Sequence, residues 1–126
     1  MTTKRVLIVD DDIGIRRIVE LSLNSIAKWD VLSASSGAEG VAIAQIELPD
    51  AILLDVMMPG MNGIETFIEM QANPSTKPIP IILLTAKTKV SEQQLFNNIA
   101  IAGVITKPFK APQLVDQIRS ILNWKS

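Results

Sequence analysis

Asp10, Asp11 and Asp12 stand in a row directly after the apolar run Val6-Leu7-Ile8-Val9. A short apolar run that ends abruptly in carboxylates reads as a buried strand opening into a polar site. Like charges this crowded repel: at about 4 Å and an effective dielectric of 20, each pair costs roughly 4 kcal/mol. The cluster therefore asks for a cation, a proton or open water. Three further runs end in the same manner. Ala51-Ile52-Leu53-Leu54 stops at Asp55, the run from Ile79 to Leu84 (with Pro80 inside) at Thr85, and Gly103-Val104-Ile105-Thr106 at Lys107. Hard carboxylate oxygens suit Mg²⁺, which keeps several waters and takes one or two carboxylates. A cation on Asp10, Asp11 and Asp55 would bind phosphoryl oxygens, with Lys107 as a second positive charge and Thr85 as a hydroxyl donor. Such groups stabilise in-line phosphoryl transfer. A carboxylate can itself be the nucleophile, giving an acyl phosphate.

Each residue taken singly has a plainer role. Asp12 reads as the N-cap of a first helix, Asp10-Asp11 as a solvated turn and Asp55 as another turn residue. Thr85 alone is a strand-end hydroxyl bonded to backbone, and Lys107 before Pro108 a surface lysine. Met57, Met58 and Met61 read as packing residues; Trp29 and Trp124 carry no functional signal. What separates the readings is whether the fold gathers residues 10 to 107 in one place.

Strand-like runs fall at 5–9, 30–34, 51–54, 79–84 and 103–106. Helical patterns lie between them. Ile15, Ile18, Val19 and Ile26 form one apolar face, with Arg16, Arg17 and Glu20 elsewhere on the wheel. Ser36-Gly37-Ala38-Glu39 is a capping box that starts a helix near 37. Gly63 to Gln71 carries Ile64, Phe67 and Ile68. Ser91-Glu92-Gln93-Gln94 is a second capping box, opening a fourth helix with Leu95, Phe96 and Ile99. A fifth begins near Pro112, a residue suited to a first turn, with the stripe Leu114, Ile118, Ile121 and Leu122. The loop Met58-Pro59-Gly60-Met61-Asn62-Gly63 leaves Asp55 at the mouth of the site. Strict β-α alternation predicts an α/β fold: a five-stranded parallel sheet with five helices on both faces. Right-handed crossovers put every strand's carboxyl end on one edge, where open α/β sheets bind ligands. Asp10, Asp55, Thr85 and Lys107 all fall on that edge.

The 126 residues suit one domain with one core. With 48% hydrophobic and 20% charged residues, long disorder is not expected. A net charge of −1 gives no electrostatic footprint for nucleic acid. No Cys and no His occur, which removes thiolate metal sites, the usual general base and a phosphohistidine carrier. No apolar stretch approaches the ~18 residues of a membrane span, and the N-terminus lacks a signal-peptide pattern. The expectation is a cytoplasmic protein, a single domain over 1–126 with no output domain.

These residues resemble the receiver domain of two-component response regulators, in its single-domain, chemotaxis-type form. The matching segments are Val6-Leu7-Ile8-Val9-Asp10-Asp11 and Leu53-Leu54-Asp55-Val56-Met57-Met58-Pro59-Gly60-Met61-Asn62-Gly63. Ile82-Leu83-Leu84-Thr85-Ala86 and Gly103-Val104-Ile105-Thr106-Lys107-Pro108-Phe109 complete the set. The resemblance implies a flavodoxin-like (β/α)5 fold with strand order 2-1-3-4-5. It implies that Asp55 accepts a phosphoryl group from a sensor histidine kinase or phosphotransfer protein. Mg²⁺ would be ligated by Asp11, Asp55 and the Met57 carbonyl, with Asp10 acting through water. Thr85 and Lys107 would hold the phosphoryl oxygens, and the Lys107-Pro108 bond would be cis. Phosphorylation would draw Thr85 inward and reshape the face of helix 4, strand 5 and helix 5. A downstream protein would bind that face, the chain being a monomer or a phosphorylation-dependent dimer that turns over no external substrate.

Many receivers carry Tyr or Phe two residues after the Ala of the Ala-Gly pair, where this chain has Val104. The aromatic swing that reports Thr85 movement is thereby absent, which implies a different or weaker readout. Met57 and Lys87 occupy positions that tune phosphoryl lifetime in the family. Two alternatives remain open from the residues. A phosphatase of the haloacid dehalogenase type would use Asp10 as nucleophile and Asp12 as acid/base, but leaves Asp55 unexplained. A receiver-like binding module that is no longer phosphorylated would need none of the intact set. A flavin or dinucleotide binder lacks its Gly-rich loop.

Overall fold

The computed structural model describes residues 3–86 and 100–125. In chain order these form β1 (Arg5–Val9), α1 (Ile13–Ala27), β2 (Asp30–Ala34), α2 (Gly37–Glu47), β3 (Ala51–Asp55), α3 (Gly63–Ala72), β4 (Ile81–Thr85), β5 (Gly103–Thr106) and α4 (Ala111–Leu122). Four helices lie among the described residues, so the expectation of five is met only in part. The helix expected to open at Ser91 falls outside them. All strand pairs are parallel, and the order is β2-β1-β3-β4-β5. This is the flavodoxin-like order expected.

The strands alternate sides with period two. Leu7 and Val9 of β1, Ile52 and Leu54 of β3, and Ile81 and Leu83 of β4 pack with Val41, Ala44, Phe67 and Met70 from α2 and α3. Val6, Ile8, Leu53, Ile82, Leu84 and Ile105 face the other way, against Val19 and Leu23 of α1 and Leu114, Val115 and Ile118 of α4. β3 and β4 are buried on both faces, which is why they read as unbroken apolar runs. β4 begins at Ile81 rather than at 79, because Pro80 has no N–H to give the ladder.

The face expected for α1 differs in part. Ile18 and Ile26 are exposed, whereas Ser22 and Leu23 are buried with Val19. Ser22 is tolerated there because its hydroxyl donates to the Ile18 carbonyl at 2.6 Å. Ile68 of α3 is also exposed. The Ser36 cap holds: its Oγ accepts from the Glu39 N–H at 3.2 Å. Glu39 reaches one residue further back than a capping box requires, to the Ser35 N–H at 3.1 Å. Among the described residues the complete box is on α3. There Asn62 Oδ1 accepts from Glu65 N–H at 2.9 Å and Glu65 Oε1 from Asn62 N–H at 3.1 Å. Among the described residues no helix is long and apolar enough to cross a membrane.

Candidate acidic site at the carboxyl edge of the sheet

β1 and β3 are neighbours in the sheet, but their connections leave in opposite directions, α1 to one face and α2 and α3 to the other. A crevice opens at such a switch point beyond the strand ends. Asp10 follows β1 and Asp55 ends β3, so both carboxylates meet there. Asp10 is fully buried and Asp55 nearly so, while Asp11 is exposed. One carboxylate oxygen from each of the three lies within 4.8 Å of the others.

Lys107 reaches into this cluster from the end of β5. Its Nζ lies 2.8 Å from Asp10 Oδ2 and 3.1 Å from Asp55 Oδ1. Two short charge-assisted contacts hold the ammonium between the two buried carboxylates. The other oxygen of Asp10, Oδ1, accepts from the Asp12 N–H at 2.9 Å. Asp12 is the expected N-cap of α1, its Oδ1 accepting from Gly14 N–H at 2.7 Å and Ile15 N–H at 3.3 Å. Thr85, at the end of β4, is buried and its hydroxyl donates to the Ala86 carbonyl at 2.9 Å. The Lys107-Pro108 peptide is cis, as the resemblance implied.

Burial is the largest influence on the Asp55 carboxyl and raises its pKa above 3.8, and the Asp10 charge raises it further. The hydrogen bond and charge of Lys107, and the backbone N–H of Met57, offset only part of this. For Lys107, burial alone would lower the pKa. The hydrogen bonds and charges of Asp10 and Asp55 outweigh it and raise the ammonium above 10.5. Asp55 is therefore a carboxylate whose charge is disfavoured by burial and by Asp10, and Lys107 a cation fixed in place.

The loop after β3 keeps Asp55 at the mouth. The Gly63 N–H donates to the Val56 carbonyl at 3.0 Å and closes the turn. Gly60 takes a positive φ of 73°. Of the three methionines there, Met58 packs in the core and Met61 is half-buried, but Met57 is 70% exposed. Met57 is therefore not the packing residue expected, because the chain leaves the sheet at that point.

The structure thus brings together Asp10, Asp11, Asp55 and Lys107, with Thr85 on the adjoining strand end. A participant the sequence reading left on the outer wheel of α1 is Arg16, whose guanidinium donates to the Asp10 carbonyl at 2.7 Å. Its place one helical turn after Asp12 was the available signal. Three clustered carboxylates with hard oxygens fit a divalent cation such as Mg²⁺ and offer no soft ligand for other metals.

Fold and site define a doubly wound α/β domain with a lysine-bridged acidic centre at its switch point. The sequence matches the response regulator receiver domain family over residues 6–119, and the chain belongs to that family, the receivers of two-component systems. The probable transcriptional regulator ycf27 of Cyanophora paradoxa is 38% identical over 119 residues, 94% of this chain and 48% of that protein. The phosphate regulon regulatory protein PhoB of Pseudomonas aeruginosa is 35% identical over 122 residues, 97% of this chain and 53% of that one. The chain thus spans about half the length of these relatives. The chemotaxis protein CheY4 of Vibrio cholerae is similar in structure, with a TM-score of 0.89 and 32% identity over 95% of this chain and 99% of that one.

Proposed function

We propose that this receiver is a phosphorylation-dependent switch in which Asp55 accepts a phosphoryl group from the histidine of a sensor kinase or phosphotransfer protein. The observation that carries this is the placement of Lys107 Nζ against Asp55 Oδ1, beside two further carboxylates in the same crevice. Asp11, Asp55 and the Met57 carbonyl would hold Mg²⁺, with Asp10 acting through a water. The ion would supply the positive charge that offsets carboxylate repulsion and receives phosphoryl oxygens.

An Asp55 oxygen forms the new bond to phosphorus as the P–N bond to the donor histidine breaks, its nitrogen keeping the electron pair. Lys107 neutralises charge on the transferring group from where it already stands. Thr85 is free to trade its hydrogen bond to the adjacent Ala86 carbonyl for a phosphoryl oxygen. That exchange moves a buried side chain at the end of β4 and carries the signal toward β5 and α4, the helix expected as the fifth. A downstream protein binding there reads the state, and no external substrate is turned over. The chain acts as a monomer or as a dimer formed on phosphorylation.

A phosphatase built on Asp10 is disfavoured by the same geometry. Both Asp10 carboxylate oxygens are engaged, by Asp12 and Lys107, and the residue is fully buried. The test is intact mass after acetyl phosphate with and without Mg²⁺, on wild type and Asp55→Asn. One added phosphoryl group that needs both Mg²⁺ and Asp55 is the expected result. No adduct on wild type would favour the non-phosphorylated binding module, and an adduct that survives Asp55→Asn but not Asp10→Asn would restore the phosphatase.

A further inference from the structure

We infer that Arg16 is a positioning residue that orients the Asp10–Asp11 peptide and thereby aims Asp11 at the cation. This rests on reading the site as Mg²⁺-dependent. Arg16 sits in the first turn of α1, its backbone N–H donating to the Asp12 carbonyl at 3.1 Å. Its side chain turns back, and the guanidinium donates to the Asp10 carbonyl at 2.7 Å. A contact that short between a cation and a carbonyl is charge-assisted.

That carbonyl belongs to the peptide joining a buried residue to an exposed one. Asp10 itself is fixed on three sides: its N–H donates to the Ala34 carbonyl at 3.1 Å, Oδ1 accepts from Asp12 and Oδ2 from Lys107. Asp11 is the exposed member of the carboxylate group. Its direction is set by the plane of the peptide before it, and Arg16 holds the oxygen of that peptide. Releasing the oxygen lets the plane rotate and swings the Asp11 carboxylate while Asp10 stays in place. Partners that orient ligands in this way are typically worth about 10–100-fold in metal affinity.

Mg²⁺ is titrated calorimetrically into wild type, Arg16→Ala and Arg16→Lys, and amide exchange is recorded without Mg²⁺. Arg16→Ala is expected to weaken Mg²⁺ about tenfold and to speed exchange at Asp12 more than at Leu53 or Leu54. Arg16→Lys, which keeps a charged donor, recovers most of the affinity. Affinity in Arg16→Ala equal to wild type overturns the role, as does a loss that comes only with faster exchange across the whole sheet. If Arg16→Ala does not fold, Arg16→Lys and the uncharged Arg16→Gln decide: Lys close to wild type and Gln weakened is expected, and equal affinities overturn it. Wild type that binds no Mg²⁺ overturns both this role and the reading of the site. Wild type that binds Mg²⁺ and takes a phosphoryl group, with Arg16→Ala doing both equally well, overturns the role of Arg16 alone.

Discussion

The backbone N–H of Lys107 donates to the Thr85 carbonyl at 2.7 Å, so the chain segments carrying the site's ammonium and its buried hydroxyl are fixed to each other across β4 and β5. Their side chains have separate partners, two carboxylates for Lys107 and the Ala86 carbonyl for Thr85. Either side chain can change partner without disturbing the ladder beneath it, which is what a switch on this edge needs.

Removing the ammonium leaves Asp10 and Asp55 buried and facing each other without a counter-charge. Lys107→Met is therefore expected to lower stability at neutral pH without Mg²⁺ by about 1–2 kcal/mol. That is below the full value for breaking a buried pair, since the Lys107 side chain is partly exposed. Mg²⁺ should narrow the gap by supplying the missing charge. Urea unfolding of both proteins with and without Mg²⁺ measures it. An equal deficit in the two conditions would assign the loss to packing instead.

Asp55 has a folded pKa above its ordinary 3.8, chiefly from burial. Between 3.8 and the raised value, the folded chain holds a proton that the unfolded chain has released. Stability attributable to this group therefore falls as pH rises through that window. Asp55→Asn removes the dependence and is expected to gain stability relative to wild type without metal as pH rises from about 4 to 7, because the buried charge beside Asp10 is gone. Lys107 behaves in the opposite sense. Its contribution is complete below pH 10.5 and is lost as pH rises through its raised folded value. Denaturation midpoints across both ranges check the two signs.

Gly63 opens α3 directly beneath Asp55. A Cβ there would collide with the Asp55 carbonyl oxygen and stand 2.7 Å from the Val56 Cα. Both neighbours are backbone, so neither can move aside cheaply. Gly63→Ala should destabilise the fold by about 3 kcal/mol or more and reduce phosphorylation of the protein that remains folded, because the strand carrying Asp55 must shift. Thermal unfolding and acetyl phosphate labelling read the two effects; a neutral result would mean that the turn relaxes without moving Asp55.

Val104 lies on β5 with 37% of its surface exposed, beside buried Ile105. A valine has no ring to swing into space vacated by Thr85. Amide exchange with and without beryllium fluoride should change at Thr85 and along β5, and Val104→Tyr should enlarge the change. No change over residues 85–110 in either protein would move the output away from this face.

All four site residues at the strand ends were legible because an apolar run that stops at a polar residue marks both a strand and its carboxyl end. The parallel topology then needed only the β-α alternation to gather them. The face of α1 was less legible. Exposed Ile18 and buried Ser22 are settled by where the helix rests on the sheet, and a serine bonded to its own helix is as compatible with the core as with water. Asn62 was absorbed into the preceding turn, which hid its capping box with Glu65. Trp29 and Trp124 pack edge to face at 5.1 Å, yet they come from opposite ends of the chain and no local pattern links them. The backward reach of Arg16 is likewise invisible to periodicity, which assigns a residue to a face but not its side chain to a carbonyl.

Met57 follows Asp55 by two residues and is 70% exposed at the mouth of the crevice. Loss of the phosphoryl group requires a water aligned opposite the Asp55 oxygen. A thioether is a weak acceptor and holds no such water in place, whereas an amide can. The wild-type phosphoryl group is therefore expected to outlast that of Met57→Asn by about fivefold, the rate equivalent of one hydrogen bond worth about 1 kcal/mol. Met57→Leu, apolar and similar in size, should keep the wild-type lifetime. Decay of the phosphoryl adduct by intact mass after removal of the donor gives all three rates. Faster decay in wild type than in Met57→Asn would show that the side chain at this position does not limit access of water. A long lifetime in wild type with a short one in Met57→Leu would point instead to shielding specific to the flexible methionine chain.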